Sequence, residues 1–413
     1  MAVAAASPVT IQSPSADELE RFLHAVETAF LEEPREDDIS RWARHLDPTH
    51  QYWALEGDAP VATAGAYDHR MRIPGGELPI LGVSLVGVHA SHRRRGILRE
   101  LMRRQLDDAH ERGQAVAALW ASEAPIYGRF GYGVASTSIR LDAERDRVVF
   151  RPPDEPVGRA RLVDEDEARR LIPAIYGQAR LQRPGMLDRT DGWWTDYRLA
   201  DPEHWRQGGG PLFRAVWEDD AGEPQAYAVY RLHGSWDDGF PAGKLNVREA
   251  LGTSPQAMRE IWRFLFGVDL VGRVRTWHIP PDHPLLHSVT DVRRLKAQVF
   301  DGVWVRILDM AAALEVREYA EDGEIAFDVR DEFCNWNDGT WRLTVAGGRG
   351  TVERGGEADI RLDVADLGST YLGGFEFGAL ALAGRVEELR SGTIARADAM
   401  FRTAAKPWCP EVF

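Results

Sequence analysis

A chain of 413 residues is longer than one ordinary hydrophobic core serves, so two or three domains are expected. Its 44% hydrophobic and 28% charged residues are the balance of a soluble globular protein, and no run approaches the ~20 apolar residues of a membrane span. The net charge of -15 repels phosphate backbones, which argues against a nucleic-acid partner, while it favours cationic small molecules. Two cysteines, Cys334 and Cys409, exclude a disulfide framework and a C-x-x-C metal or redox motif. The stretch from Met1 to Ser15 lacks the basic and then apolar pattern of a secretory leader, so a cytoplasmic location is expected.

The elements follow in chain order. Ser15-Ala16-Asp17-Glu18 is a capping box, and Leu19, Phe22, Leu23, Val26 and Phe30 continue it as an amphipathic helix. Trp53-Ala54-Leu55 and Val61 to Tyr67 read as strands around the Glu56-Gly57-Asp58 turn. After the Pro74-Gly75-Gly76 turn, Ile80 to Val88 is an apolar run suited to a central strand, with Pro79 just before it. A helix from Gly96 to about His110 presents Leu98, Leu101, Met102, Gln105, Leu106 and Ala109 on one side, and Ala115 to Trp120 is the next buried strand. The charged, proline-containing stretch Arg151 to Pro156 marks a boundary. Beyond it the order partly repeats: a helix from Asp164 to Ile175, strands at Leu212 to Trp217, Gln225 to Leu232 and Lys244 to Ala250, and a helix from Pro255 to Phe266. A last α+β segment starts near Trp304, with a short helix at Met310 to Glu315. Strands at Glu324 to Val329, Thr340 to Val345 and Ala358 to Val364 follow, then helices at Asp366 to Tyr371 and Ile394 to Phe401. The expected domains are 1–150, 151–302 and 303–413.

The chemistry concentrates where the strand ending Val86-Gly87-Val88 meets His89-Ala90-Ser91-His92-Arg93-Arg94-Arg95-Gly96-Ile97-Leu98 and opens a helix. Free amides at a helix start, the helix dipole and arginines together make a diphosphate cradle. The bland alternative is a solvated basic turn. A dinucleotide fold is the other option, but G-x-G-x-x-G is absent.

Arg93-x-x-Gly96 at this turn is similar to the Q/R-x-x-G-x-G/A loop of the GNAT acetyltransferase superfamily, with Leu98 departing at the last position. Ser91 to Gly96, taken with Trp120-Ala121-Ser122-Glu123-Ala124-Pro125-Ile126-Tyr127-Gly128-Arg129-Phe130-Gly131-Tyr132-Gly133, resembles the enhanced intracellular survival (Eis) acetyltransferases of actinobacteria. His283-Pro284-Leu285-Leu286, Gly302 to Ile307 and Leu367 to Gly374 extend the likeness over the whole chain.

The resemblance implies an α/β protein: tandem GNAT folds, the N-terminal one active and the central one degenerate, followed by a sterol-carrier-protein-like α+β domain. The central Gly252-Thr253-Ser254-Pro255 lacks the arginines of the first loop, so one CoA site per chain follows. The resemblance places acetyl-CoA against Val86, Gly87 and Val88, the loop Arg93, Arg94, Arg95, Gly96, Ile97, Leu98 and Arg99, and Ser122 with Glu123. It implies Tyr127 as the acid that protonates the leaving thiolate, with Tyr132 as the fallback. It also implies the terminal carboxylate of Phe413 as the base, acting through water or by holding the cation. The apolar, proline-stiffened tail Lys406 to Phe413 suits docking better than fraying.

Trp42 and Trp120 are candidates to line an amine pocket, against plain core packing. Trp120 stands where some family members have histidine. Glu32, Glu33 and Glu36 to Asp38 are candidates for an acidic rim. His278, His283 and His287 lack a helical ligand spacing, so no metal is expected. The implied reaction is acetyl transfer to a primary amine of a cationic acceptor, such as an aminoglycoside or a lysine side chain, by a homohexamer that needs neither membrane nor nucleic acid. The alternative is an apolar-ligand carrier built on the C-terminal domain.

Overall fold

The structure is a computed structural model that describes residues 9–152 and 156–413. The first eight residues, and Pro153 to Glu155 of the expected boundary, lie outside the described residues. The chain assorts into two compact units. One runs to Ala135 and takes in Val303–Thr403 and Val412–Phe413; the other is Ser136–Gly302 with Ala404–Glu411.

In the first unit, strands β1 (Val9–Gln12), β2 (Tyr52–Glu56), β3 (Ala59–Ile73), β4 (Gly76–Val88), β5 (Val116–Trp120) and β6 (Gly133–Val134) alternate with helices α1 (Leu19–Phe30), α2 (Glu36–Ala43) and α3 (Ile97–Glu111). The capping box forms as expected: the Ser15 amide donates to Glu18 Oε2 at 2.9 Å and its hydroxyl to the same oxygen at 2.8 Å. Phe22, Leu23 and Val26 form the buried face of α1; Ile97, Leu101, Met102, Leu106 and Ala109 form that of α3. The central strand starts earlier than its apolar run, and Pro79 lies inside it, opposite Arg70. β5 joins β4 only from Leu81 onward, so at Pro79 the strand has one neighbour and a missing N–H is tolerated.

The second unit holds β7 (Thr137–Glu144), β8 (Arg159–Leu162), β9 (Leu212–Glu218), β10 (Pro224–His233), the short pair β11 (Trp236–Asp237) and β12 (Phe240–Pro241), β13 (Lys244–Gly252), β14 (Arg273–Ile279) and β15 (Gln298–Asp301). Its main sheet has the order β15-β7-β14-β13-β10-β9-β8. Helices α4 (Glu165–Arg180), α5 (Asp191–Trp193), α6 (Pro255–Gly267) and α7 (Leu285–Ser288) complete it.

Strand β16 (Val303–Ile307) returns to the first sheet, whose order is β1-β2-β3-β4-β5-β16-β6. This changes two expected boundaries. β7 pairs with β14, so the first unit gives way to the second at Ala135 and not at 150. β16 pairs with β5, so residues 303–307 belong to the first sheet and not to the C-terminal domain. Both shifts come from pairings between distant segments, which local periodicity does not encode.

The C-terminal part follows as α8 (Met310–Val316), β17 (Gly323–Arg330), β18 (Gly339–Ala346), β19 (Arg349–Arg354), β20 (Ile360–Asp363), α9 (Val364–Tyr371), α10 (Phe377–Leu382), β21 (Val386–Glu388) and α11 (Thr393–Phe401). Its sheet is ordered β19-β18-β17-β20-β21. Phe327, Phe377 and Phe401 meet at its core, with ring centroids 5.1 to 6.1 Å apart. No helix among the described residues is long and apolar enough to cross a membrane.

Candidate active site

β4 and β5 run parallel but pair only at Leu81–Val83 against Ala117–Leu119. Just beyond, the register of β4 against β3 shifts between Thr63 and Gly65, and Leu85 takes φ 55. A bulge of this kind bends its strand and raises its twist. The Thr63 hydroxyl holds it by donating to the Leu85 carbonyl at 2.8 Å. Val86, Gly87 and Val88 therefore diverge from β5 and line a cavity of about 790 Å³. Gly87 is needed at this edge: a Cβ there would stand 2.6 Å from that of Ala29, so only glycine admits the end of α1.

The basic loop closes the next wall. Arg94 (φ 64) and Gly96 (φ 82) are left-handed, and Gly96 is the N-cap of α3 with no side chain to satisfy the first amides. Glu100 is the first residue to donate back within the helix, to the Gly96 carbonyl, so Ile97, Leu98 and Arg99 carry the orphan N–H groups. All three line the cavity, with Arg93, Arg94 and Gly96. Arg95 does not. Its guanidinium sits 3.2 Å from Glu56, which His92 approaches at 3.3 Å, so this arginine holds the loop to β2. Uncapped amides, flanking cations and an unpaired strand edge fit the pyrophosphate and the amide-bearing arm of CoA.

Beyond β5 the chain folds through two short turns, Ala124–Ile126 and Gly128–Phe130, which place Ser122, Glu123, Ile126, Tyr127, Arg129 and Phe130 on the opposite wall. Gly131 (φ 82) makes this possible, because a Cβ there would meet the Arg306 guanidinium at 2.4 Å. Arg306 is itself fully buried and paired with Asp331 at 2.6 Å. Tyr127 is 5% exposed. Burial pushes its phenol above the usual value, helped by the Glu123 charge, while a hydrogen bond from Ser122 opposes the rise. Tyr132 lies edge-on to it at 6.1 Å between centroids but is fully buried and does not border the cavity. Of the two phenols, Tyr127 is the one with access.

Phe413 is half-buried, with its ring 5.4 Å from that of His69. Gly82 makes room for both, since a Cβ there would lie 2.9 Å from His69 and 3.3 Å from Phe413. Neither Trp42 nor Trp120 borders the cavity; both are half-buried, Trp42 on α2 and Trp120 at the end of β5, paired with Val303. Glu32 and Glu33 are exposed and directly follow Leu31, whereas Asp38 is buried. His278 and His283 are buried and pushed down to about 3 by desolvation, and His287 is exposed. Among the described residues the His and carboxylate groups that come within ligand distance of one another are Asp47, His50 and Asp68, not these three histidines.

Sequence reasoning missed Ala29, Phe30, Leu31, His92, Ile126, Arg129 and Phe130 as lining residues. The first three arrive from the far end of α1, and nothing local signals that. Arg129 was visible inside the Tyr127 motif.

Residues 10–135 match the family described as "Acetyltransferase (GNAT) domain", and residues 185–307 match a second family of that description. Residues 310–410 match "Sterol carrier protein domain". An uncharacterized N-acetyltransferase of Streptomyces avermitilis is 40% identical over 87% of this chain and 88% of its own. The N-acetyltransferase Eis of Mycobacterium tuberculosis is 34% identical over 95% and 96%. Among solved structures, Eis1 of Mycobacterium abscessus superposes with a TM-score of 0.83 at 31% identity, covering 98% of this chain and all of that one. A GCN5-related N-acetyltransferase of Anabaena variabilis gives 0.84 at 19% identity, with 98% and 100% covered, and shows the fold alone.

Proposed function

The chain belongs to the Eis family of GNAT N-acetyltransferases, and from that premise we propose that it moves the acetyl group of acetyl-CoA onto a primary amine of a cationic acceptor, with Tyr127 as general acid and the Phe413 carboxylate as base. The acceptor class is an aminoglycoside or a lysine side chain. The net charge of -15 supports a cationic one.

The observation that carries this reading is a single cavity bordered by the open start of α3, the free edge of β4 and the Tyr127 phenol. Acetyl-CoA supplies the activated thioester. Val86 to Val88 and the Ile97, Leu98 and Arg99 amides hold and orient it, and Arg93, Arg94 and Arg129 balance its phosphates. The Phe413 carboxylate holds the acceptor ammonium and takes its proton through water, because an α-carboxyl with pKa ~3.5 is a weak base when unaided. As the new C–N bond forms and the C–S bond breaks, the departing thiolate takes the Tyr127 proton. With its pKa above the usual value the phenol is protonated at neutral pH, the state a proton donor requires.

The same reading carries a cytoplasmic homohexamer, for which light scattering is the test. Release of free thiol from acetyl-CoA on adding an aminoglycoside, a polyamine or a lysine-rich peptide tests the function. Cationic amines raise the rate under the proposal; indifference to all three classes contradicts it.

A further inference from the structure

The central domain repeats the device that opens the first cavity. β13 carries an extra residue, Arg248, where its register against β10 shifts between Val229 and Tyr230, and it pairs with parallel β14 only as far as Val247 against Thr276. Both strands run on, to Gly252 and Ile279. In the first domain the corresponding opening is a cavity. In this one it holds the chain's own tail.

Pro407 to Glu411 are buried within the second unit. The Trp408 ring meets His278, two residues past the last β14 pair, at 5.4 Å, and its amide donates to the Pro184 carbonyl at 2.9 Å. Gly185 (φ +92) lets this backbone approach, since a Cβ there would lie 3.0 Å from the Trp408 carbonyl. Glu411 binds Arg189, accepts from the Trp193 indole at 2.9 Å and lies 3.7 Å from Arg198. The same two arginines hold Glu249, two residues past the last β13 pair: Arg189 by two hydrogen bonds of 2.9 and 2.6 Å, Arg198 by one of 2.6 Å.

We propose that the vestigial cofactor cleft of the central domain is a receptor for the chain's own C-terminal segment, with Glu411 as the anionic group it clamps. Arg189, Arg198 and Glu249 are positioning residues that act through this segment on Phe413, its last residue. The proposal rests on the reading of Phe413 as the base. Two arginines and two buried glutamates balance in charge, and the hydrogen bonds that Glu411 accepts from Arg189 and the Trp193 indole fix the direction of its carboxylate.

The test is Glu411→Gln in the full-length chain, with Glu411→Asp as the milder variant should the first fail to fold. Hydrogen exchange of residues 404–413, the Kd for CoA, and kcat for acetyl transfer are measured. The clamp predicts rapid exchange across the tail, an unchanged Kd for CoA, and a fall in kcat of roughly 10²-fold, the scale of a small misplacement of a reacting group. A tail that stays protected overturns the receptor role. A freed tail with full kcat overturns the positioning role. A chain extended by a few residues beyond Phe413 separates the two readings: if extension abolishes turnover while Glu411→Gln does not, only the clamp is wrong. If neither variant affects turnover, the reading of Phe413 falls as well.

Discussion

At the start of α3 the N-cap is Gly96, and the amides of Ile97, Leu98 and Arg99 face a cavity without a side-chain cap. At the corresponding start of α6 the N-cap is Ser254, whose hydroxyl accepts from the Ala257 amide at 3.1 Å, and Pro255 removes one more N–H. The first helix leaves its orphan donors uncapped beside the cavity; the second has one capped by a side chain and another removed by proline. The bulged strands differ in the same sense, β4 bordering a cavity at Val86 to Val88, β13 and β14 framing a protein segment. A bulged strand, a turn and a helix are thus a frame that is either left open or filled by the chain, and Gly96 in one against Ser254 and Pro255 in the other marks the difference.

The largest effect that sharpens this contrast is expected at the phenol. Tyr127→Phe lowers kcat by ~10²–10⁴-fold with little change in the Kd for CoA, because it removes a proton and no binding contact. Tyr132→Phe, with its hydroxyl off the cavity, leaves kcat near normal. The pH profile follows from the sign of the shift. The protonated phenol is the competent form, and burial raises its pKa, so kcat shows no loss from this group between pH 7 and 9. A fall centred near 8 breaks the assignment.

Next in size is the turn itself. Gly96→Val forces a β-branched residue into φ 82, which costs roughly 1–2 kcal/mol, and weakens CoA binding by about tenfold. Ser254→Ala, the mirror experiment, lowers stability by ~1 kcal/mol through loss of a cap and leaves the CoA affinity unchanged. Reversed outcomes erase the distinction between the two helix starts. Chemical denaturation and binding isotherms on both variants check it.

The smallest effect concerns the arginine run. Arg94→Gln lowers CoA affinity and the salt dependence of binding, whereas Arg95→Gln removes a partly exposed pair with Glu56 worth ~0–1 kcal/mol and leaves both nearly unaltered. Equal losses would show that the loop acts as an undivided basic patch.

The tail clamp has a pH signature of its own. Burial alone would raise the Glu411 and Glu249 carboxyls, but Arg189 and Arg198 outweigh it and hold both below the usual range. Stabilisation from depressed carboxyls is present above the unfolded value of ~4.3 and is lost only as pH falls through the folded pKa. Tail protection in hydrogen exchange is therefore the same at pH 5 and pH 7.

The strand, basic turn and helix were legible in the sequence because every part is local: apolar strand, arginines, a glycine that reaches positive φ, amphipathic helix. The turn's division of labour was not, since Glu56, which claims Arg95, lies 39 residues away. The exchange of β7 and β16 between sheets, and the approach of α1 to Gly87, depend on partners that no window of residues contains. The Glu411 network is the extreme case, with Arg189 at a separation of 222 residues. What the tail's composition did show, two prolines and a tryptophan among apolar neighbours, was that it docks; where it docks needed the fold.

The most direct test of the central claim is calorimetric titration of the full-length chain with acetyl-CoA. The account predicts one site per chain, weakened by Gly96→Val and untouched by Ser254→Ala. No heat of association, or a second equivalent site, contradicts it.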